Sequence, residues 1–172
     1  KKATKSDPML SIAWEKLANT YLQLNKLEDS ENYFRKELEL NPKLYNLYFI
    51  LSDILIKQNK LKEAEEYLRK TITLKPDFAM AHLKLGAILK DLNKTEEAEI
   101  FISKSINLNP NIFNAHYLLG SILIEKNKLK EAEEPLRKTI SLKPDFAIAH
   151  LNLGVVLKEL YKLEEAEALT RK

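Results

Sequence analysis

Apolar side chains recur along the chain at spacings of three and four. Trp14, Leu17, Ala18 and Tyr21 stand at i, i+3, i+4 and i+7, and His82, Leu85, Gly86 and Leu89 keep the same intervals. Such a stripe is one face of an α-helix, here called helix A. A second stripe follows as Leu61, Ala64, Leu68 and Ile72, and marks helix B. Glutamates and cations alternate on its outer side, so that Glu65 and Arg69 pair at i, i+4, a contact of about 0.2–0.5 kcal/mol. Asn25, Asn59, Asn93 and Asn127 separate the two stripes, with Tyr161 replacing the asparagine in the last instance. Asparagine tolerates the left-handed conformation that ends a helix. Helix B stops at a proline, which biases the residue before it away from helix. The pattern predicts an all-α chain of antiparallel helix pairs.

The pairs are copies of one unit. Residues 59–92 return 68 positions later as 127–160 with seven differences in 34 positions, and Pro8, Pro42, Pro76, Pro110 and Pro144 are spaced by 34. A fixed period of this length is the mark of a solenoid. With each of these prolines at position 32, the repeats are 11–44, 45–78, 79–112, 113–146 and a truncated 147–172, and residues 1–10 are the tail of an earlier one. The whole chain, 1–172, reads as one array. Asp77 and Asp145, just after the proline, are suited to cap the next helix A. Pro135 is off the ladder, replacing Tyr67 inside helix B, where a local bend is expected.

Composition narrows the function more than the fold. The chain has 28 basic and 25 acidic residues, a net charge of +3, and no cysteine. Disulfide and thiolate metal sites are therefore excluded. No apolar run approaches the length that spans a bilayer, so no membrane insertion is expected. With no signal segment to argue for secretion, the expected compartment is the cytoplasm.

The residues Trp14, Leu17, Ala18, Tyr21, Ser30, Phe34 and Pro42 resemble the tetratricopeptide repeat, or TPR. The pattern returns at Leu85, Gly86, Ala98 and Pro110, at Leu119, Gly120, Ala132 and Pro144, and at Leu153, Gly154 and Ala166. It departs at His82, His116 and His150, where position 4 has a bulky aromatic, and at Glu37, where position 27 is small. The resemblance implies a right-handed superhelix whose A helices line a concave groove. Gly86, Gly120, Gly154, Ala64, Ala98 and Ala132 fall where A and B approach to about 8–10 Å. It also allows a carboxylate clamp to be sought, and only Asn19 and Lys84 fit one, so a clamp is disfavoured.

Catalytic and metal chemistry find little support. The three histidines occupy one position of successive repeats, about a helix-packing distance or more apart, whereas a zinc ion needs its ligand nitrogens about 2 Å away. They are read as packing residues, and neither metal nor cofactor is expected. Glu63, Glu65, Glu66, Glu131, Glu133 and Glu134 alternate with lysines as a solvated face does. No nucleophile elbow or phosphate loop occurs, so no catalytic residue is assigned. Lys84, Lys90 and Lys158 mix with Glu15, Asp53, Asp91, Glu125 and Glu159 on the other face of helix A. That face is no basic funnel, and nucleic acid is not an expected partner.

The candidate site is that second face. Phe49, Leu83, Tyr117 and Leu151 hold position 5 of four repeats and are expected to form an exposed apolar track. Met80, Asn114 and Ile148 at position 2, Lys84 and Asn152 at position 6, and Asp53, Ala87, Ser121 and Val155 at position 9 complete it. Four of the seven differences between the copies fall on this face: Met80/Ile148, Lys84/Asn152, Ala87/Val155 and Asp91/Glu159. The expected function is a non-enzymatic scaffold that binds a protein or peptide segment there. A second reading is an accessory region that presents substrate to a larger transferase. Because the last helix B stops at Lys172, Leu153, Leu157 and Leu169 are expected to be incompletely covered, with end-to-end contact between copies.

Overall fold

The computed structural model describes residues 8–160. Among them the elements are α1 (Pro8–Gln23), α2 (Leu27–Leu40), α3 (Tyr45–Lys57), α4 (Leu61–Leu74), α5 (Ala79–Asp91), α6 (Thr95–Leu108), α7 (Phe113–Glu125), α8 (Leu129–Leu142) and α9 (Ala147–Glu159). Odd numbers are A helices and even numbers B helices. Helices α1–α4 belong to one compact unit and α5–α9 to a second, divided at Asp77 and Phe78. No helix among the described residues is long and apolar enough to cross a membrane.

The asparagines set each A-to-B turn. Asn25, Asn59, Asn93 and Asn127 have φ of 56, 60, 60 and 57°. In the second turn the N–H of Asn59 donates to the Ile56 carbonyl at 2.9 Å and that of Lys60 to the Leu55 carbonyl at 2.8 Å. This pair of bonds satisfies carbonyls that the helix end would otherwise orphan. Helices α2, α4, α6 and α8 each end two residues before a ladder proline, and Asn41, Lys75, Asn109 and Lys143 leave the helical region. Pro8 differs from the other ladder prolines, since it opens α1 instead of lying in a turn. Asp77 and Asp145 do not act as caps. Phe78 and Phe146 hold the N-cap positions, and neither start has a side-chain cap bond. Helix α8 runs through Pro135 without interruption.

Each pair closes tightly because its contact residues are small. Ala18, Ala64, Ala98 and Ala132 are fully buried. A Cβ on Gly86 would stand 2.5 Å from Ile102 Cγ1, and one on Gly120 would stand 2.9 Å from Leu136. Hydroxyls add ties between the two helices of a pair: Ser30 of α2 donates to the Ala18 carbonyl of α1 and Ser105 of α6 to that of Ala79 of α5, both at 2.9 Å.

Pairs then stack through positions 3, 7 and 10 of the next helix A. In the first unit Leu47, Leu51 and Ile54 of α3 pack with Ala18 and Phe34. In the second, Leu153, Val156 and Leu157 of α9 pack with Leu123, Ala132 and Leu136. Each buried Leu, Ile, Val or Phe among them contributes about 1.5–3 kcal/mol. Leu153 and Leu157 are thus 1% and 0% exposed, and the expectation that they would be open is corrected. Leu17, assigned to the packing stripe, is 41% exposed, because position 7 faces the preceding repeat and α1 has none described before it. Leu169, Ala166 and Tyr161 lie outside the described residues.

Candidate peptide-binding groove

The site is built from the A-helix face opposite the packing stripe. In the first unit, Phe49 and Asp53 lie half-buried on α3. In the second, α5 carries Met80, Leu83, Lys84 and Ala87; α7 carries Asn114, Tyr117 and Ser121; and α9 carries Ile148, Leu151, Asn152 and Val155.

The apolar track at position 5 is not continuous at the surface. Leu83 is 5% exposed and belongs to the core. Tyr117 shows why. Its ring meets Phe146 edge-on at 5.0 Å, and Phe113 does so at 5.4 Å, so position 5 receives the residue that precedes the next helix A. This is a junction position, with aromatic contacts of about 0.5–1.5 kcal/mol each. Leu151, on the last described helix, is 60% exposed, alongside Ile148 at 51% and Val155 at 49%.

What remains open is a hollow of about 310 Å³ centred on α7. Lys90 of α5, Tyr117, Leu118, Ser121, Ile124 and Glu125 of α7, and Asn152 of α9 line it. Tyr117, Ser121 and Asn152 are expected site residues that the structure brings together. Lys90, Leu118, Ile124 and Glu125 extend the set through positions 6, 12 and 13 of the same face. Their signal was the helical period itself, since those positions adjoin 5 and 9. Lys90 Nζ meets Glu125 Oε1 at 2.6 Å and closes one side from α5 to α7. Ser121 and Asn152 make no side-chain hydrogen bond among the described residues. The hollow therefore offers an apolar floor, two open hydrogen-bonding groups and a neutralised charge pair, which suits one apolar side chain of an extended ligand.

The histidines act within the scaffold. His116 Nε2 donates to the Pro110 carbonyl at 2.9 Å and His150 Nε2 to that of Pro144 at 2.8 Å. Tyr48 makes the same tie to Pro42 through its hydroxyl at 3.2 Å. Position 4 thus fastens helix A to the loop before it, a role that packing alone did not reveal.

Comparison with known proteins agrees with this geometry. Tetratricopeptide repeat models match residues 15–77 and 80–112, and a TPR repeat model matches 120–160. No curated protein sequence matches the chain. Among solved structures, MamA is 21% identical with a TM-score of 0.86, over 94% of this chain and 88% of that one. YrrB, described as a TPR protein with an unusual peptide-binding site, is 23% identical with a TM-score of 0.79, over 96% and 84%. PilF of Pseudomonas aeruginosa is 21% identical with a TM-score of 0.80, over 94% and 74%. At these identities the likeness is one of fold. From its sequence matches and its helix pairs, this chain belongs to the tetratricopeptide repeat family.

Proposed function

We propose that the chain is an interaction scaffold, without catalysis of its own, that binds an extended peptide segment across α5, α7 and α9. The observation that carries this reading is the hollow on α7, where the apolar floor of Tyr117, Leu118 and Ile124 adjoins the open Ser121 hydroxyl and Asn152 amide. An apolar anchor entering it gives affinity, and the two polar groups hold the backbone beside it in register. The peptide-binding site described for YrrB lends support, as a property of a protein of the same fold.

The test is to select ligands from a random-peptide display library on the 172-residue chain and titrate one into variants. Ser121→Arg fills the hollow, Asn152→Ala removes a hydrogen-bonding group, and Ile100→Ala on α6 is the control on a B helix. We expect Ser121→Arg and Asn152→Ala to weaken binding by about 1–3 kcal/mol, with melting temperatures unchanged. Full affinity in both, with loss at Ile100→Ala, would move the site to the B helices.

A further inference from the structure

Three of the four described B helices carry an arginine one turn after a glutamate. Arg35 holds Glu31 at 2.7 Å, Arg69 holds Glu65 at 2.9 Å and Arg137 holds Glu133 at 2.9 Å. On α6 the glutamate remains, as Glu99, but Ser103 stands in the arginine's place. A neighbour on the same face departs with it: Ile100 is 66% exposed, where α2, α4 and α8 have Asn32, Glu66 and Glu134. These residues line a hollow of about 520 Å³, with Glu96 and Lys104 on the same helix and Lys126 at the end of α7. Helices α5 and α7 both pack on α6, so the hollow lies inside the array.

The first unit shows what fills such a place. There the Arg35 guanidinium bridges Glu31 of α2 and Glu63 of α4. The second unit keeps both carboxylates at the corresponding positions, as Glu99 and Glu131, and lacks the guanidinium between them. Lys126 restores the charge but not the reach. Its ammonium donates to Glu99 Oε2 at 2.6 Å and pairs with no other carboxylate among the described residues. Glu99 Oε1 and the Glu96 carboxylate accept no hydrogen bond among them either. An ammonium is a point charge, whereas a planar guanidinium presents a fork of donors that can join two carboxylates.

We infer that α6 docks a partner protein that places an arginine side chain in this hollow. Its guanidinium lies between Glu99 and Glu131 as that of Arg35 lies between Glu31 and Glu63, and an apolar residue beside it covers Ile100. Charge-assisted bonds of this kind are shorter and stronger than neutral ones. Lys104 on the same face repels a run of cations, so the partner segment carries one arginine among apolar or acidic residues. Of the described arginines none is free for a second copy, since Arg35, Arg69 and Arg137 are each held by a glutamate of their own helix. The inference goes beyond the groove reading, because no residue of α6 lines the hollow on α7.

The test is a display library of peptides with one fixed arginine among random positions, selected on the Ser121→Arg variant so that the hollow on α7 is closed. The best binder is then titrated into further variants of that chain. Ser103→Arg fills the hollow on α6 with the chain's own guanidinium and should weaken binding at least about tenfold. Ile100→Lys, a change at an exposed position, should do the same, and it repeats the arm if Ser103→Arg melts early. Exchanging the peptide's arginine for lysine should also cost about tenfold, since one ammonium cannot bridge both carboxylates. A library that yields no binder, a binder indifferent to both substitutions, or one that tolerates lysine would overturn the inference. None of these outcomes bears on the groove, whose ligand is selected on the unmodified chain and lost with Ser121→Arg.

Discussion

Arg35 on α2 and Tyr67 on α4 are joined by a guanidinium-to-phenol hydrogen bond of 2.6 Å. The same guanidinium pairs with Glu63 and holds Glu31 at 2.7 Å, so one side chain clasps two successive B helices. Burial alone would raise the Glu31 carboxyl, but hydrogen bonds from Lys60 and Arg35 bring it below the usual carboxylate value. At the corresponding places of the second unit stand Ser103 and Pro135. There Glu99 turns to Lys126 at 2.6 Å. A hollow of about 520 Å³, lined by Ile100, Ser103 and Asn107 among others, opens beside them.

Restoring the clasp should stabilise the second unit. Pro135→Tyr returns an N–H to the helix interior, where proline costs about 3 kcal/mol, and should raise the melting temperature. Ser103→Arg alone should gain less, because Glu99 and Glu131 stand where Glu31 and Glu63 do but Pro135 offers no hydroxyl. Together the two should exceed the sum of their separate effects by about 1–2 kcal/mol in a double-mutant cycle. A lower melting temperature for Pro135→Tyr would show that the proline is better accommodated than its missing hydrogen bond implies.

Glu37 should make stability depend on pH. It is 3% exposed, where later repeats have Thr71, Ser105 and Thr139. One oxygen accepts a long bond of 3.5 Å from Ser11, and the other has no partner. Burial, and then the neighbouring Glu15, push its carboxyl up. A folded value above the unfolded one favours the fold while the proton is held. That contribution is complete below the ordinary carboxylate value and is lost as pH rises through the raised one. Glu37→Gln should therefore melt higher than wild type at neutral pH, with the gain vanishing near about pH 4. Glu31 has the opposite sign, its contribution being lost as pH falls through its lowered value. Thermal melts of Glu37→Gln and Glu31→Gln across that range separate the two.

Gly86→Ala should destabilise despite the better helix propensity of alanine, worth about 1 kcal/mol. The new Cβ would meet Ile102 Cγ1 at 2.5 Å and the Ala98 carbonyl at 3.2 Å. Ile102 is fully buried and has little room to withdraw. We expect a net loss of about 1–3 kcal/mol in urea denaturation. On an Ile102→Ala background the same change should be neutral or favourable.

His116→Phe should cost about 0.5–1.5 kcal/mol, the worth of one hydrogen bond to the Pro110 carbonyl. His116→Tyr should recover most of it, since Tyr48 already reaches Pro42 from this position. Equal melting temperatures for the two variants would show that the ring, and not its polar atom, matters.

Features that depend on local backbone chemistry were legible from the chain. An asparagine at position 15 predicts a left-handed residue, and four asparagines adopt it. A proline at position 32 predicts where helix B stops, and α2, α4, α6 and α8 stop there. The close approach at Gly86 and Gly120 follows from the absence of a side chain. Legibility fails where a position serves two neighbours at once. Leu83 is apolar on the groove-facing stripe, yet the junction buries it. Asp77 has the right chemistry for a cap, but Phe78 holds the N-cap place. The clasp could not be anticipated either, since it joins residues 32 apart through side-chain reach.

The two near-identical stretches, 59–92 and 127–160, also bear on heredity. Unequal recombination between them would delete or add 68 residues, a whole number of repeats. After a deletion with the exchange at the start of the stretches, α3 would be followed by α8 with Asn127 in place of Asn59 at the turn, and Leu136 in place of Leu68 inside the pair. Every apolar position would still be filled by a residue of its kind. That exchange would lose the Arg35–Tyr67 bond, because Pro135 would take the place of Tyr67, whereas one beyond position 67 would keep it. The length of this array is thus open to change by a single genetic event that leaves its pattern of packing intact.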